Sequence, residues 1–149
     1  MSVRGDQTIM ALDVGSVRIG VARAYTKTLF PQPFAEVHHD SGTINQLKSL
    51  FDQEHAIALV VGLPRSLDSH ETGQTQAVRD FVHKLKEIIT LPLYYQDEAG
   101  TSKKAQAELA ASKTKRRGPS ASIDALAATY ILEDFIEQGR HNDVLNKKI

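Results

Sequence analysis

Three acidic residues interrupt apolar sequence or stand where a predicted strand ends: Asp13, Glu98 and Asp124. An isolated carboxylate is costly to bury, so each of these charges requires a partner. Converging carboxylates also raise one another's pKa unless a cation neutralises them, and Mg²⁺ or Mn²⁺ is the usual partner of sites built from oxygen ligands. A pair of such ions roughly 3.5–4 Å apart can activate water for phosphodiester cleavage. Asp97 is a fourth candidate ligand, although alternation along a strand would point it away from Glu98.

Each acid also has an ordinary structural interpretation, and the sequence leaves it open. Asp13 could accept hydrogen bonds from the amides of a hairpin, and Glu98 could be a surface residue where a strand ends. Asp124 lies one turn into a helix that Ser120 or Ser122 could cap. An anion in that first turn is favoured by roughly 0.3–1 kcal/mol through the helix dipole.

Basic side chains lie close to these acids in the sequence. Residues 101–119 contain one acid, Glu108, and six cationic residues: Lys103, Lys104, Lys113, Lys115, Arg116 and Arg117. This stretch could bind nucleic-acid phosphates, or it could be a solvated helix end followed by a loop. Arg18 and Arg65, which follow the first hairpin turn and the central strand, are further candidate phosphate ligands. Arg18 could equally form a cross-strand salt bridge. Affinity for phosphates would fall as salt rises.

The composition limits the class of protein. The chain has 149 residues and no cysteine, which excludes disulfides, thiolate metal sites and a cysteine nucleophile. The formal net charge is zero, which argues against a histone-like DNA binder. The first residues are polar, and no apolar run approaches the roughly 18 residues that span a bilayer. We therefore expect one cytoplasmic domain, with a core over about residues 8–138 and a loose C-terminal tail.

The periodicity predicts how secondary-structure elements position the acids. Strands are predicted over 7–14, 18–25, 32–39, 56–61 and 92–96, and helices over 43–51, 77–89, 101–112 and 123–138. Residues 62–73 are predicted to be a loop, and Glu98 is predicted to lie just past the end of the fifth strand. This order predicts an α/β fold with a five-stranded mixed sheet, three antiparallel strands first, flanked by helices on both faces.

Four segments resemble, in order and spacing, the YqgF (RuvX) family: LDVGSVRIGVA, VVGLPRSLDSHETGQTQAVRDFVHKL, YYQDEAGTSKKAQAEL and SIDALAATYIL. Its members are described as Holliday junction resolvases and as nucleases that process the precursor of small-subunit ribosomal RNA. The resemblance covers about residues 8–138. It implies a ribonuclease H-like fold in which the first and fourth strands are neighbours. It also implies that Asp13, Glu98 and Asp124 are the catalytic and metal-binding acids.

The resemblance implies a nuclease that requires Mg²⁺ or Mn²⁺, acts on structured nucleic acid and processes the 5′ end of pre-16S ribosomal RNA. Ribosomal particles are then possible partners, and the protein would be a monomer or a weak homodimer. One alternative is a Holliday junction resolvase, and another is a non-catalytic RNA-binding module of the same fold. The first hairpin also resembles the phosphate loop of sugar kinases and actin, but the chain has no room for their second domain.

The chain departs from the family pattern in three places. The family usually continues its Asp-Glu with Arg-Leu, whereas Ala99 and Gly100 stand here. Ser69 replaces a usual glycine, and residues 118–122 lengthen the connection to the last helix. If the family's arginine positions a phosphate, this chain must bind that phosphate differently.

Overall fold

The structure is a computed structural model that describes residues 6–65, 70–99, 106–109, 112 and 122–146. Several sequence predictions lie outside these residues. They concern the cationic residues and the departures from the family pattern at Lys103, Lys104, Lys113, Lys115, Arg116, Arg117, Ser69 and Gly100.

The described residues form one five-stranded mixed sheet. Its strands are β1 (Thr8–Val14), β2 (Arg18–Tyr25), β3 (Gln32–His38), β4 (Ala56–Arg65) and β5 (Leu93–Ala99), in the spatial order β3-β2-β1-β4-β5. The first three strands pair antiparallel, while β4 pairs parallel with β1 and with β5. The predicted mixed sheet and the predicted contact between the first and fourth strands are confirmed.

A tight turn joins β1 to β2. The amide of Gly15 donates to the carbonyl of Arg18 at 3.0 Å, and a Cβ at residue 15 would lie 2.6 Å from that oxygen. Only glycine can therefore occupy this position without moving the turn. His39 holds the turn against the end of β3, because its amide donates to the Val17 carbonyl and its ring Nδ1 lies 2.6 Å from the Gly15 carbonyl oxygen.

Helices cover both faces of the sheet, as predicted. They are α1 (Thr43–Gln53), α2 (Gly73–Lys86), α3 (Ile123–Glu137) and α4 (His141–Leu145), and residues 106–109 are also helical. Buried side chains of α1 and α2 pack against one face, and those of α3 against the other. Alternation along the strands supplies an apolar row to each of these two cores. No helix in the described part of the chain is long and apolar enough to cross a membrane.

Two strands extend beyond their predicted ends. β4 continues to Arg65 and β5 to Ala99, and Pro64 pairs with Glu98. The prediction that 62–65 belong to a loop was wrong, as was the placement of Glu98 beyond the fifth strand. A proline is tolerated in β4 because pairing with β1 ends at Val61, so that one side of the strand carries no ladder there. The hydroxyl of Thr75 in α2 donates to the Pro64 carbonyl and holds this extension in place.

The segment after Gly139 was expected to be loose, and this prediction was wrong for the described residues. They form α4, whose Val144 is buried against the α3 side of the sheet. Arg140 donates from Nη1 to the carbonyl of Tyr95 at 2.8 Å and to Oε1 of Gln96 at 2.7 Å. Burial of one apolar side chain and two hydrogen bonds to β5 thus hold the segment on the sheet.

Candidate active site

The three predicted acids share one face of the sheet and one end of it. Asp13 is the penultimate residue of β1 and lies on the same face as Ile9 and Ala11, which pack in the α3 core. Glu98 is the penultimate residue of β5 and shares its face with Tyr94, which packs against the same core. Asp124 is in the first turn of α3 itself. The fold therefore places Asp13 and Glu98 at the carboxyl ends of parallel strands, on the face that is covered by the helix carrying Asp124.

Gly20 sets the distance between the helix and the sheet. It is the cross-strand partner of Asp13, and a Cβ at residue 20 would lie 1.8 Å from the carbonyl oxygen of Asp124. The first turn of α3 consequently rests on the backbone of β2, next to Asp13. An isolated glycine inside a strand pattern is the sequence signal of such a close approach, but Gly20 was not among the predicted site residues.

Ser122, one of the two predicted candidates, caps α3. Its Oγ accepts a hydrogen bond from the amide of Ala125 at 3.0 Å. This cap fixes the first residue of the helix and leaves Asp124 in the first turn, close to the positive end of the helix dipole. The helix start therefore accounts both for the position of Asp124 and for part of the stabilisation of its charge.

Gly62 lies in β4, between β1, which carries Asp13, and β5, which carries Glu98. A Cβ there would lie 2.4 Å from Cδ1 of Ile131 and 3.7 Å from Cγ of Glu98. Ile131 of α3 thus packs on the bare backbone of β4. The side chain of Glu98 extends back over the same glycine, toward the middle of the site. This second strand glycine was also missed as a signal, because it was assigned to the loop.

Arg18 compensates the charge of the most buried acid. Its Nε donates to Oδ2 of Asp124 at 2.8 Å, and Oε2 of Glu36 lies 3.7 Å from the same nitrogen. The Asp124 side chain is only 6% exposed, whereas that of Arg18 is 44% exposed. The hydrogen bond and the charge of Asp124 raise the pKa of Arg18. The sequence had allowed a phosphate contact or a cross-strand salt bridge for Arg18, and the structure shows it paired with carboxylates on α3 and on β3.

Arg65 is not brought together with the three acids. It lies on the same face of β4 as Val61 and Leu63, which pack on the face of the sheet opposite to the three acids. Its Nε lies 3.2 Å from Oδ1 of Asp97, and one of its terminal nitrogens lies 3.9 Å from Glu71. Asp97 therefore points away from Glu98, as strand alternation predicted.

The donor set suits a hard divalent cation, because all three acids offer carboxylate oxygens. Within the described residues, which include these acids, no three acidic or histidine side chains are grouped closely enough to hold an ion together. Asp124 is instead paired with Arg18. A shared ion would therefore require these side chains to move toward one another.

Comparisons with known proteins identify similar chains over nearly the whole length. A family model described as "RuvX: Holliday junction resolvase" matches residues 7–138. A Roseiflexus sp. (strain RS-1) protein named "Putative pre-16S rRNA nuclease" is 33% identical over 134 residues, which cover 89% of this chain and 95% of that protein. A Rhodopirellula baltica protein of the same name is 34% identical over 140 residues, covering 92% of this chain and 80% of that one.

Solved structures share the architecture at low sequence identity. RuvC of T. thermophilus in complex with a Holliday junction substrate aligns with a TM-score of 0.52 and 14% identity, over 89% of this chain and 96% of that one. Fowlpox virus resolvase, solved with Holliday junction DNA, aligns with a TM-score of 0.52 and 10% identity, over 88% and 97% of the two chains. At these identities the likeness concerns the fold alone, and it confirms the predicted ribonuclease H-like class.

Proposed function

The chain belongs to the RuvX family, and we propose that it is a nuclease that hydrolyses phosphodiester bonds of structured nucleic acid. The observation that carries this proposal is the convergence of Asp13, Glu98 and Asp124 on one face and one end of the sheet. A purely structural role would not require acids from two strands and a helix to share that end of one face. Perturbed or costly charges that cluster at strand ends are typical of functional sites.

We propose that the substrate is the 5′ end of pre-16S ribosomal RNA, as a free precursor or within a ribosomal particle in the cytoplasm. The names of the relatives support this choice, since their identity extends over most of both chains. Cleavage of a Holliday junction is the second candidate, and the description of the matching family model favours it. The protein would act as a monomer or a weak homodimer.

Asp13, Glu98 and Asp124 would together hold Mg²⁺ or Mn²⁺. When bound, such an ion supplies Lewis acidity that activates water and stabilises the leaving oxygen. The chain's own contribution is positional. β1 holds Asp13 between two paired strands, and the capped first turn of α3 holds Asp124 against β2.

We propose that Lys113, Lys115, Arg116 and Arg117 bind the phosphate backbone, since they precede the helix that carries Asp124. Arg18 is half-exposed at the site and would also contact a phosphate once its guanidinium is available. Arg65 would have to leave Asp97 on the far face before it could do so. Such contacts orient the nucleic acid but carry no sequence information directly.

Adjacent acids on β5 provide a matched test. A labelled pre-16S ribosomal RNA fragment and a four-way DNA junction are each incubated with Mn²⁺ or with EDTA. We expect Mn²⁺-dependent cleavage of the RNA that Glu98→Gln abolishes and Asp97→Asn retains, because these side chains lie on opposite faces. Cleavage of the junction alone would identify a resolvase. A folded protein that binds the RNA and cuts neither substrate would be a binding module.

A further inference from the structure

The guanidinium of Arg18 occupies the position of a counter-cation for Asp124. The two side chains meet at 2.8 Å, and the carboxylate is almost completely removed from water. Since a carboxylate in that setting is costly without compensation, the guanidinium stabilises the charged form of Asp124. A second cation at the same carboxylate would repel the guanidinium at close range. The two cations therefore compete for Asp124.

Glu36 offers the guanidinium a second partner. Its Oε2 lies 3.7 Å from Arg18 Nε, and its side chain is 36% exposed. Glu36 is paired with Gly20 in the register of β2 and β3, so it lies beside the point where α3 contacts the sheet. A movement of about 1 Å would turn this long contact into a charge-assisted hydrogen bond. The guanidinium thus lies between two carboxylates and is closer to the more buried one.

We propose that Arg18 is a positioning residue that exchanges between these two carboxylates. It holds Asp124 until a divalent cation binds that acid, and it then transfers to Glu36. This inference rests on the proposed metal-binding role of Asp124. It gives Glu36 a function that the three acids alone do not reveal, and it accounts for their failure to form a ready-made group of ligands. It also predicts that Arg18 weakens the affinity of the protein for the cation.

The affinity for Mn²⁺ tests the exchange without any measurement of activity. Full-length protein without nucleic acid is titrated, and free Mn²⁺ is followed by electron paramagnetic resonance. We expect Arg18→Gln to bind Mn²⁺ at least about threefold more tightly than the wild type, because it removes a charge-assisted hydrogen bond that is half-exposed. We expect Glu36→Gln to bind Mn²⁺ about threefold more weakly, because Arg18 then loses its alternative partner.

A resonance of Arg18 itself provides a readout that a purely structural role would not change. In the wild type, Mg²⁺ should shift the Nε–Hε signal of Arg18, and Asp124→Asn should remove this response. Equal or weaker Mn²⁺ binding by folded Arg18→Gln would overturn the exchange. If that variant does not fold, wild-type affinity in Glu36→Gln overturns it instead. A wild type that binds no Mn²⁺ contradicts the proposed metal site itself, which separates the two failures.

Discussion

The α-carbon of Gly20 lies against the backbone of Asp124, with no space between them for a side chain. A Cβ at residue 20 would approach the Asp124 carbonyl oxygen to 1.8 Å and the Ala125 amide nitrogen to 2.8 Å. Because Gly20 pairs with Asp13 across the sheet, this contact sets the relative position of two of the three acids. The obstacle is backbone rather than a flexible side chain, so the helix can only yield by moving as a unit.

Gly20→Ala should therefore impair both stability and cleavage. Overpacking of this kind costs roughly 1–3 kcal/mol, and the first turn of α3 should move away from β2 together with Asp124. We expect cleavage to fall further than the loss of folded protein explains. Urea unfolding gives the stability, and cleavage is measured where both proteins remain folded.

Gly73→Ala is the matched control, because a Cβ at the first residue of α2 meets nothing within 4 Å. Alanine is the better helix former, so this variant should keep wild-type activity and change stability by no more than about 1 kcal/mol. A Gly20→Ala protein with the stability and activity of the wild type would show that α3 does not pack directly against the backbone of β2 at Gly20.

Replacing Lys113 and Lys115 together by glutamine should weaken RNA binding. If both side chains contact phosphates, the slope of log affinity against log salt should become shallower by about 0.7 for each contact with single-stranded RNA. Fluorescence anisotropy at several salt concentrations measures this slope. The double replacement of Lys84 and Lys86 is the control, since these residues lie in the last turn of α2, on the other face of the sheet. Equal slopes in the two double variants would assign no phosphate contacts to Lys113 and Lys115.

The order of the elements could be predicted because hydrophobic period is a local property of the sequence. The ends of β4 and β5 could not, because Gly62 and Pro64 carry the composition of a turn. These residues are held as a strand by contacts with distant parts of the sequence. β5 pairs with them as far as Ala99, and the hydroxyl of Thr75 in α2 donates to the Pro64 carbonyl. Pairing between segments distant in sequence overrides local propensity at such positions.

The shared face of the acids could be predicted in part, since alternation separates Asp97 from Glu98 once the strand is known. The pairing of Arg18 with Asp124 could not be predicted, because the two residues are 106 positions apart and meet only when α3 docks. No periodicity encodes a contact of that kind. A glycine inside a strand pattern, such as Gly20 or Gly62, can indicate that another element packs closely on the strand. The sequence does not show which residue packs there, because that depends on how α3 docks on the sheet.

An exposed ion pair on the face of the sheet opposite to the three acids should make stability depend on acid pH. Arg79 in α2 donates to both carboxylate oxygens of Glu71, at 3.1 and 2.6 Å. Its guanidinium carbon also lies 5.3 Å from the centre of the Tyr95 ring. The hydrogen bond to Arg79 lowers the pKa of Glu71 from 4.5. A carboxyl group whose folded pKa is depressed stabilises the fold above its unfolded pKa and loses that contribution as pH falls through the folded value.

Glu71→Gln should accordingly be less stable than the wild type at pH 7, and the difference should shrink below the unfolded pKa of 4.5. Because both side chains are exposed to solvent, the effect should be small and weaker at high salt. Urea midpoints at neutral and acidic pH measure it. Glu87→Gln, an exposed glutamate at the other end of α2, controls for the loss of one negative charge. The same difference between Glu71→Gln and the wild type at both pH values would mean that ionisation of Glu71 contributes nothing to stability.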